Sequence, residues 1–187
     1  MNLNICYSGG SKGADQLFGE LAEKVGHQIV HWSFEGHYSP CKKRYVIPLK
    51  AISLAKADTH LIKANQYLKR TFPTKMEYVN NLLRRNYYQI TGSERVYSST
   101  PFDEDFKPLG GTSWAIVMGI DIGINEFYNY DINRHSWIKL NPERKTWHEI
   151  DIKDIPTPYG KYTGIGSSEL SQEAAEQIRL LYNITKN

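Results

Sequence analysis

Apolar and polar positions along the chain follow two periods that alternate from the start. Leu3, Ile5 and Tyr7 alternate with Asn4 and Cys6, the period of a strand, until Ser8-Gly9-Gly10-Ser11-Lys12-Gly13 breaks the pattern. From Ala14 the apolar residues fall at Leu17, Phe18, Leu21, Ala22 and Val25, one face of an amphipathic helix. Gly26 suits the position just past its end, and Gln28 to Phe34 reads as the next strand. A strand, a loop, a helix and a strand in that order imply a parallel pair with a right-handed crossover.

Pro40 to Ala57 is less regular, with helical spacing at Ile47, Ala51, Leu54 and Ala55, and Thr59 to Ile62 reads as a short strand. A helix is expected over Lys75 to Gln89, announced by Thr74 and Glu77 as a capping box. Arg84 and Arg85 then fall near its C-terminal half, where positive charge favours the helix dipole. Arg95 to Ser98 is a strand and Pro101 to Pro108 a polar loop. Gly110-Gly111-Thr112 opens a helix of small residues, and Phe127 to Tyr130 is a further strand. Trp137 to Leu140 and Thr146 to Ile152 flank a five-residue loop, which suggests an antiparallel hairpin. After a proline-marked link, Ile155 to Pro158, Tyr162 leads into Gly164-Ile165-Gly166-Ser167-Ser168. A last amphipathic helix carries Ala174, Ala175, Ile178, Leu181 and Tyr182. Alternating strands and helices argue for an α/β fold with an open, mostly parallel sheet.

Composition narrows the class. The chain has 187 residues, 23 Lys+Arg against 20 Asp+Glu, and a net charge of +3. That charge is too mild to demand nucleic acid or a membrane as partner. No apolar run approaches the roughly 20 residues of a membrane-spanning helix, and Met1 to Tyr7 lacks the pattern of a signal peptide. A soluble, cytoplasmic protein is the expectation. Cys6 and Cys41 read as unpaired thiols rather than a disulfide, and are too few for a cysteine zinc site. The histidines His27, His31, His37, His60, His135 and His148 show no metal-binding spacing, so neither metal nor cofactor is expected. Tyrosine is the outlier, 13 against 6 Phe; it suits stacking on a base and plain packing alike.

The chemistry rests on three strand-to-helix turns rich in Gly, Ser and Thr. Glycine lets backbone N–H groups converge, and a helix N-terminus adds free donors and about half a positive charge. In a parallel sheet all such turns lie at the carboxyl ends of the strands, so three can share one crevice. Lys12, Arg84 or Arg85 could add charge to a phosphate. None of the turns is a Walker or dinucleotide motif: the lysine of the first has the wrong spacing, and Gly164-Ile165-Gly166 is followed by Glu169 where a third glycine belongs. Together they point to a phosphate-bearing or nucleotide-like ligand.

These residues resemble a known family. Tyr7-Ser8-Gly9-Gly10-Ser11-Lys12-Gly13-Ala14-Asp15 is similar to the Ser-Gly-Gly-x-x-Gly-Ala-Asp signature of the SLOG superfamily, the Rossmann-like group containing DNA-processing protein A and the LOG enzymes. Gly110-Gly111-Thr112 resembles the family's later Gly-Gly-Thr turn, and Arg84-Arg85-Asn86 the Ala-Arg-Asn segment between the two. Gly164-Ile165-Gly166-Ser167-Ser168-Glu169 resembles the Gly-x-Gly-Ser-Arg-Glu turn that ordinarily comes first in the chain. The order implies a circular permutation with Asn187 close to Met1; a second tandem domain cut short and exchange between subunits are the competing explanations. The implied fold is a three-layer sandwich in one domain: main sheet and helices over 1–130, hairpin and linker over 131–158, and the permuted opening unit over 159–187.

The resemblance also implies ligands such as an ADP-ribose derivative or a cyclic nucleotide. Where LOG nucleosidases carry a catalytic glutamate three residues after the threonine, Ala115 stands here, and Ser168 replaces an arginine. The expected function is therefore binding without cleavage, as a phage-encoded sponge for an immune signal, in a homo-oligomer. The alternatives are a nucleotide hydrolase using Asp15 or Glu169, and DNA binding, the least favoured given the charge. The expected ligand-binding set is Ser8, Gly9, Gly10, Lys12, Gly13, Asp15, Arg84, Arg85, Asn86, Gly110, Gly111, Thr112, Trp114, Gly164, Gly166, Ser167, Ser168 and Glu169. Asp15 also suits its helix dipole, Trp114 either stacks on a base or packs its helix, and Tyr67 to Phe72, with Lys69 and Arg70, reads as a solvated loop.

Overall fold

A computed structural model describes residues 3–184. The described residues form a single eight-stranded sheet with helices on both faces. The strands are β1 (Ile5–Ser8), β2 (Gln28–Phe34), β3 (Val46–Leu49), β4 (Arg95–Ser99), β5 (Glu126–Asp131), β6 (Ser136–Asn141), β7 (Thr146–Glu149) and β8 (Lys161–Gly166). The helices are α1 (Ala14–Lys24), α2 (Ala51–Ala55), α3 (Asp58–Leu68), α4 (Glu77–Thr91), α5 (Thr112–Asp121) and α6 (Gln172–Leu181). Across the sheet the order is β3-β2-β1-β8-β4-β5-β6-β7. All pairs from β3 to β5 are parallel; β6 and β7 add antiparallel strands at one edge.

Counted in chain order, that sequence of strands is irregular. Counted from β8 as first, with β1, β2, β4 and β5 following, it becomes third, second, first, fourth, fifth, the order of a doubly wound sheet. The last β-α unit of the chain therefore occupies the place of the opening unit. The expectation that Asn187 lies close to Met1 concerns residues outside those described.

Strand parity builds two cores. Along β4, Tyr97 joins a cluster with Phe18, Tyr162, Ile178 and Tyr182 beneath α1 and α6, while Val96 joins Leu61, Ile90, Met118 and Phe127 beneath α3, α4 and α5. Successive side chains of a strand point to opposite faces, and both faces of β4 are covered, so all five of its residues are buried. Much of the tyrosine excess goes into the first cluster, where the hydroxyls find partners. Tyr97 donates to the Pro156 carbonyl at 3.0 Å, and the hydroxyls of Tyr162 and Tyr182 lie 3.0 Å apart. Buried tyrosine needs such partners for its polar tip.

Four local expectations are corrected. Thr59 to Ile62 is not a strand but part of α3, because Ala57, Leu61, Ala64 and Leu68 form a helical stripe that packs inward and leaves Ile62 exposed. Ile47 belongs not to a helix but to edge strand β3, where Pro48 is tolerated. Thr74 makes no capping box: the Asn80 side chain accepts from Thr74 N at 2.7 Å and donates to the Thr74 carbonyl, while Glu77 bonds Arg84. Arg84 and Arg85 fall at the middle of α4, too far from its last turn for their charge to serve the dipole at its C-terminus. Cys6 and Cys41 are both free. No helix among the described residues is long and apolar enough to cross a membrane.

Candidate functional site

The sheet order reverses between β8 and β4, and in doubly wound sheets ligands bind in the crevice at the carboxyl ends of the strands beside such a reversal. A cleft of about 370 Å³ lies at that point. Thr100 follows β4 on one side, Ser167 and Ser168 follow β8 on the other, and Gly110, Gly111 and Thr112 bring the N-terminus of α5 to the rim. One wall is apolar, built from Val79, Leu82 and Leu83 of α4 and Ile165 of β8.

The first and third turns are locked to each other. Ala14 N donates to the Ser167 carbonyl at 3.0 Å, and Gly166 N donates to Asp15 Oδ1 at 3.0 Å. Glycine is required at this junction: a Cβ on Gly13, whose φ is +94°, would stand 2.5 Å from the Ser167 carbonyl oxygen, and one on Gly166 would overlap that of Ser99. Gly164 makes room for the Phe18 ring in the same way. The N-terminus of α1 is thus occupied by the protein's own groups. Gln16 N donates to the Ser11 carbonyl, and Ser8 Oγ donates to the Asp15 carbonyl. Asp15, only 3 % exposed, places a carboxylate where an anion would otherwise go.

Arg85 crosses from α4 to meet it. Its NH1 donates to the Gly9 carbonyl at 3.0 Å, to Ser11 Oγ at 2.9 Å and to His37 Nε2 at 3.0 Å, and its NH2 lies 3.7 Å from Asp15 Oδ2. The Nε of this buried guanidinium has no partner among the described residues. Burial pushes the Asp15 carboxyl up to about 6, against the pull of Arg85 and of the backbone N–H groups of Gly166, Gly9 and Ser11. Burial and the same guanidinium hold His31 and His37 down at about 4. Both rings are therefore neutral near pH 7, and His37 Nε2 serves as an acceptor for Arg85.

The second turn is the open one. Its outer side is held by Arg70, whose NH1 donates to the Gly110 carbonyl at 2.8 Å and to Ser113 Oγ at 2.9 Å; its inner side is held by Asn86 Nδ2, which donates to the Gly111 carbonyl at 3.2 Å. The backbone N–H groups of Gly111, Thr112 and Ser113 have no acceptor among the described residues. They form a ready set of donors for an anion at a helix N-terminus. Ala115, one turn further, is fully buried in the core, and among the described residues Asp15 is the only carboxylate lining the cleft.

Of the residues expected from sequence, Asp15, Arg85, Asn86, Gly110, Gly111, Thr112, Gly166, Ser167 and Ser168 line the cleft. Ser8, Gly9, Gly10, Gly13 and Gly164 lie behind it as framework. Four are placed elsewhere. Lys12 is exposed, Arg84 pairs with Asp58 and Glu77, Trp114 is 4 % exposed and packs near Phe72, and Glu169 is an exposed residue beyond the rim.

No family model and no curated protein matches the chain. A solved structure does. The crystal structure of a "Putative molybdenum carrier protein" from Syntrophus aciditrophicus SB superposes with a TM-score of 0.54 over 97 % of this chain and 95 % of that one, at 12 % identity. The likeness is one of fold. It confirms a Rossmann-like α/β architecture along nearly the full length of both chains.

Sequence reasoning missed Thr100 and Ser11 on the wall and Arg70 and His37 behind it. The run Ser98-Ser99-Thr100 at the end of a buried strand is a usable signal for the first. His37 follows Gly36 in a loop with no pattern, and only the fold brings it to Arg85. Among the described residues no group of His, Cys, Asp and Glu could hold a metal ion.

Proposed function

We propose that this chain binds a small phosphate-bearing, nucleotide-derived molecule in the cleft between β8 and β4 and holds it without cleaving it. One observation carries the reading: N–H groups at the start of α5, without acceptors among the described residues, line the same cleft as apolar side chains of α4 and β8 and the buried Arg85. The donors suit a phosphate and the apolar wall a base or sugar face. The resemblance to the SLOG superfamily points the same way, and the fold neighbour, described as a carrier of molybdenum, is named for holding a small species rather than transforming one. In its finer form the ligand is an ADP-ribose derivative or a cyclic nucleotide, and the protein a phage-encoded sponge acting as a homo-oligomer; this form rests on the family resemblance and on Ala115 at the position of the LOG glutamate.

Isothermal titration with ADP-ribose and a panel of cyclic nucleotides tests the reading, together with recovery of intact ligand after heating. Saturable binding with intact recovery supports it; no binding across the panel overturns it. Recovery of cleaved product instead favours a hydrolase using Asp15, a buried carboxyl on the wall that is part-protonated near pH 6 and so able to act as an acid or base.

A further inference from the structure

A second cavity is larger than this cleft. A groove of about 520 Å³ lies between α3, α5 and the β6–β7 hairpin, within the roughly 300–1,000 Å³ of small-molecule sites. Its floor is apolar, built from Ile116 and Ile120 of α5, Leu140 of β6 and Trp147 of β7. The Trp147 ring is braced edge-on against Phe102 at 4.9 Å, so an aromatic face is held in place without being fully buried. Its indole N–H has no acceptor among the described residues.

The rim supplies a charge. Among the described residues Asp121 is the only carboxylate lining the groove, and Lys63 forms a salt bridge with it. Lys145, in the hairpin loop, is exposed and has no acidic partner among the described residues, which leaves the rim one positive charge in excess. The loop that carries it is ordered by Asn141 Oδ1, which accepts from Glu143 N at 3.1 Å and Arg144 N at 3.0 Å. An apolar floor under a single unpaired cation matches an apolar body ending in one negative charge.

We propose that this groove is a second ligand site, separate from the switch-point cleft, and that it takes a small organic acid: an aromatic or aliphatic body with one carboxylate. The apolar body lies against Trp147 and Leu140, and the carboxylate pairs with Lys145. The two sites share α5 but use different parts of it, Thr112 at one and Ile116, Val117 and Ile120 at the other.

The test uses 4-phenylbutyrate and its uncharged amide, 4-phenylbutanamide, as probes, read by the indole N–H resonances of Trp32, Trp114, Trp137 and Trp147. The expected result is a saturable shift of Trp147 with the carboxylate, affinity about tenfold lower for the amide, and a similar loss in Lys145→Glu with the other three resonances unmoved. Binding should persist when ADP-ribose is present in excess, whether or not that nucleotide itself binds. No saturable shift at Trp147, equal binding of the amide, or a shift that follows protein concentration without any probe would each overturn the proposal, the last by showing a second copy of the chain in the groove.

Discussion

Asp15 Oδ1 accepts a hydrogen bond from the backbone N–H of Gly166 at 3.0 Å, joining residues 151 apart in sequence. This bond ties the start of the first helix to the end of the last strand, and with Arg85 it forms the buried charge pair under the cleft. Removing one member of a buried pair leaves the other uncompensated, at a cost of about 3 kcal/mol. Asp15→Ala should lose about that much stability in urea unfolding. Asp15→Asn, which leaves Arg85 equally uncompensated but keeps an acceptor for Gly166, should lose most of that amount and spare only the share of the Gly166 bond.

Gly19 sits in the middle of α1, where alanine ordinarily stabilises a helix by about 1 kcal/mol. Here a Cβ would overlap the ring of buried His31. Gly19→Ala should therefore lower the unfolding midpoint, and the double variant Gly19→Ala with His31→Ala should recover part of the loss, a coupling that a double-mutant cycle measures.

The pH dependence of stability has opposing parts. His31 and His37, neutral in the fold with values near 4 against an ordinary 6.5, stabilise the protein above about pH 6.5, and that contribution is lost as pH falls toward 4. Asp15, raised to about 6, runs the other way: burying its charge costs stability above pH 6, and the cost disappears as pH falls toward 3.8. With two histidines against one carboxyl, urea midpoints should fall between pH 7 and pH 4.5, and fall less in His31→Asn.

Anion binding should show the same carboxyl acting in the same direction, opposite to the net fall in stability. As Asp15 takes up a proton below about pH 6, Arg85 loses its counter-charge and the cleft becomes more positive. Affinity for a phosphate-bearing ligand should rise as pH falls from 7.5 to 5.5 in the native chain and stay nearly flat in Asp15→Asn, as titration calorimetry at several pH values would read.

Much of the fold is legible in the sequence where a residue pattern has one physical solution. The period-two run before Ser8, the helical stripe from Ala14 and the strand Gln28 to Phe34 were of this kind, and β2 keeps those bounds. So was the hairpin, although Asn141 pairs with Thr146 and shortens the loop to four residues, and β7 ends at Glu149 rather than Ile152. Thr59 to Ile62 was not, because four residues with a β-branched bias carry less information than the stripe from Ala57 to Leu68 that contains them. The site was legible as turns but not as roles. Three glycine turns look alike in sequence, yet in the fold the first is closed by Asp15 and by the Ser167 carbonyl while the second stays open. Which turn keeps its donors depends on contacts between residues more than a hundred positions apart, and no local pattern records them. Arg84 and Arg85 were equal candidates for the same reason; helix phase sends one to Asp58 and the other into the cleft.

The open turn also gives the most direct test of the central claim. Gly111 has φ −70°, which proline can adopt, and a Cβ there meets nothing within 4 Å. Gly111→Pro thus removes one N–H donor at a φ that proline can adopt, while Gly111→Ala keeps it. The measurement is an amide-resolved nuclear magnetic resonance titration of the native chain with ADP-ribose, repeated on both variants. Binding at the switch point requires shifts at Gly111, Thr112, Ser113, Ser167 and Ser168, quiet amides at Ala14 to Gln16, and affinity about tenfold lower in Gly111→Pro but not in Gly111→Ala. Shifts centred on Ala14 to Gln16, or equal affinity in all three proteins, would contradict it.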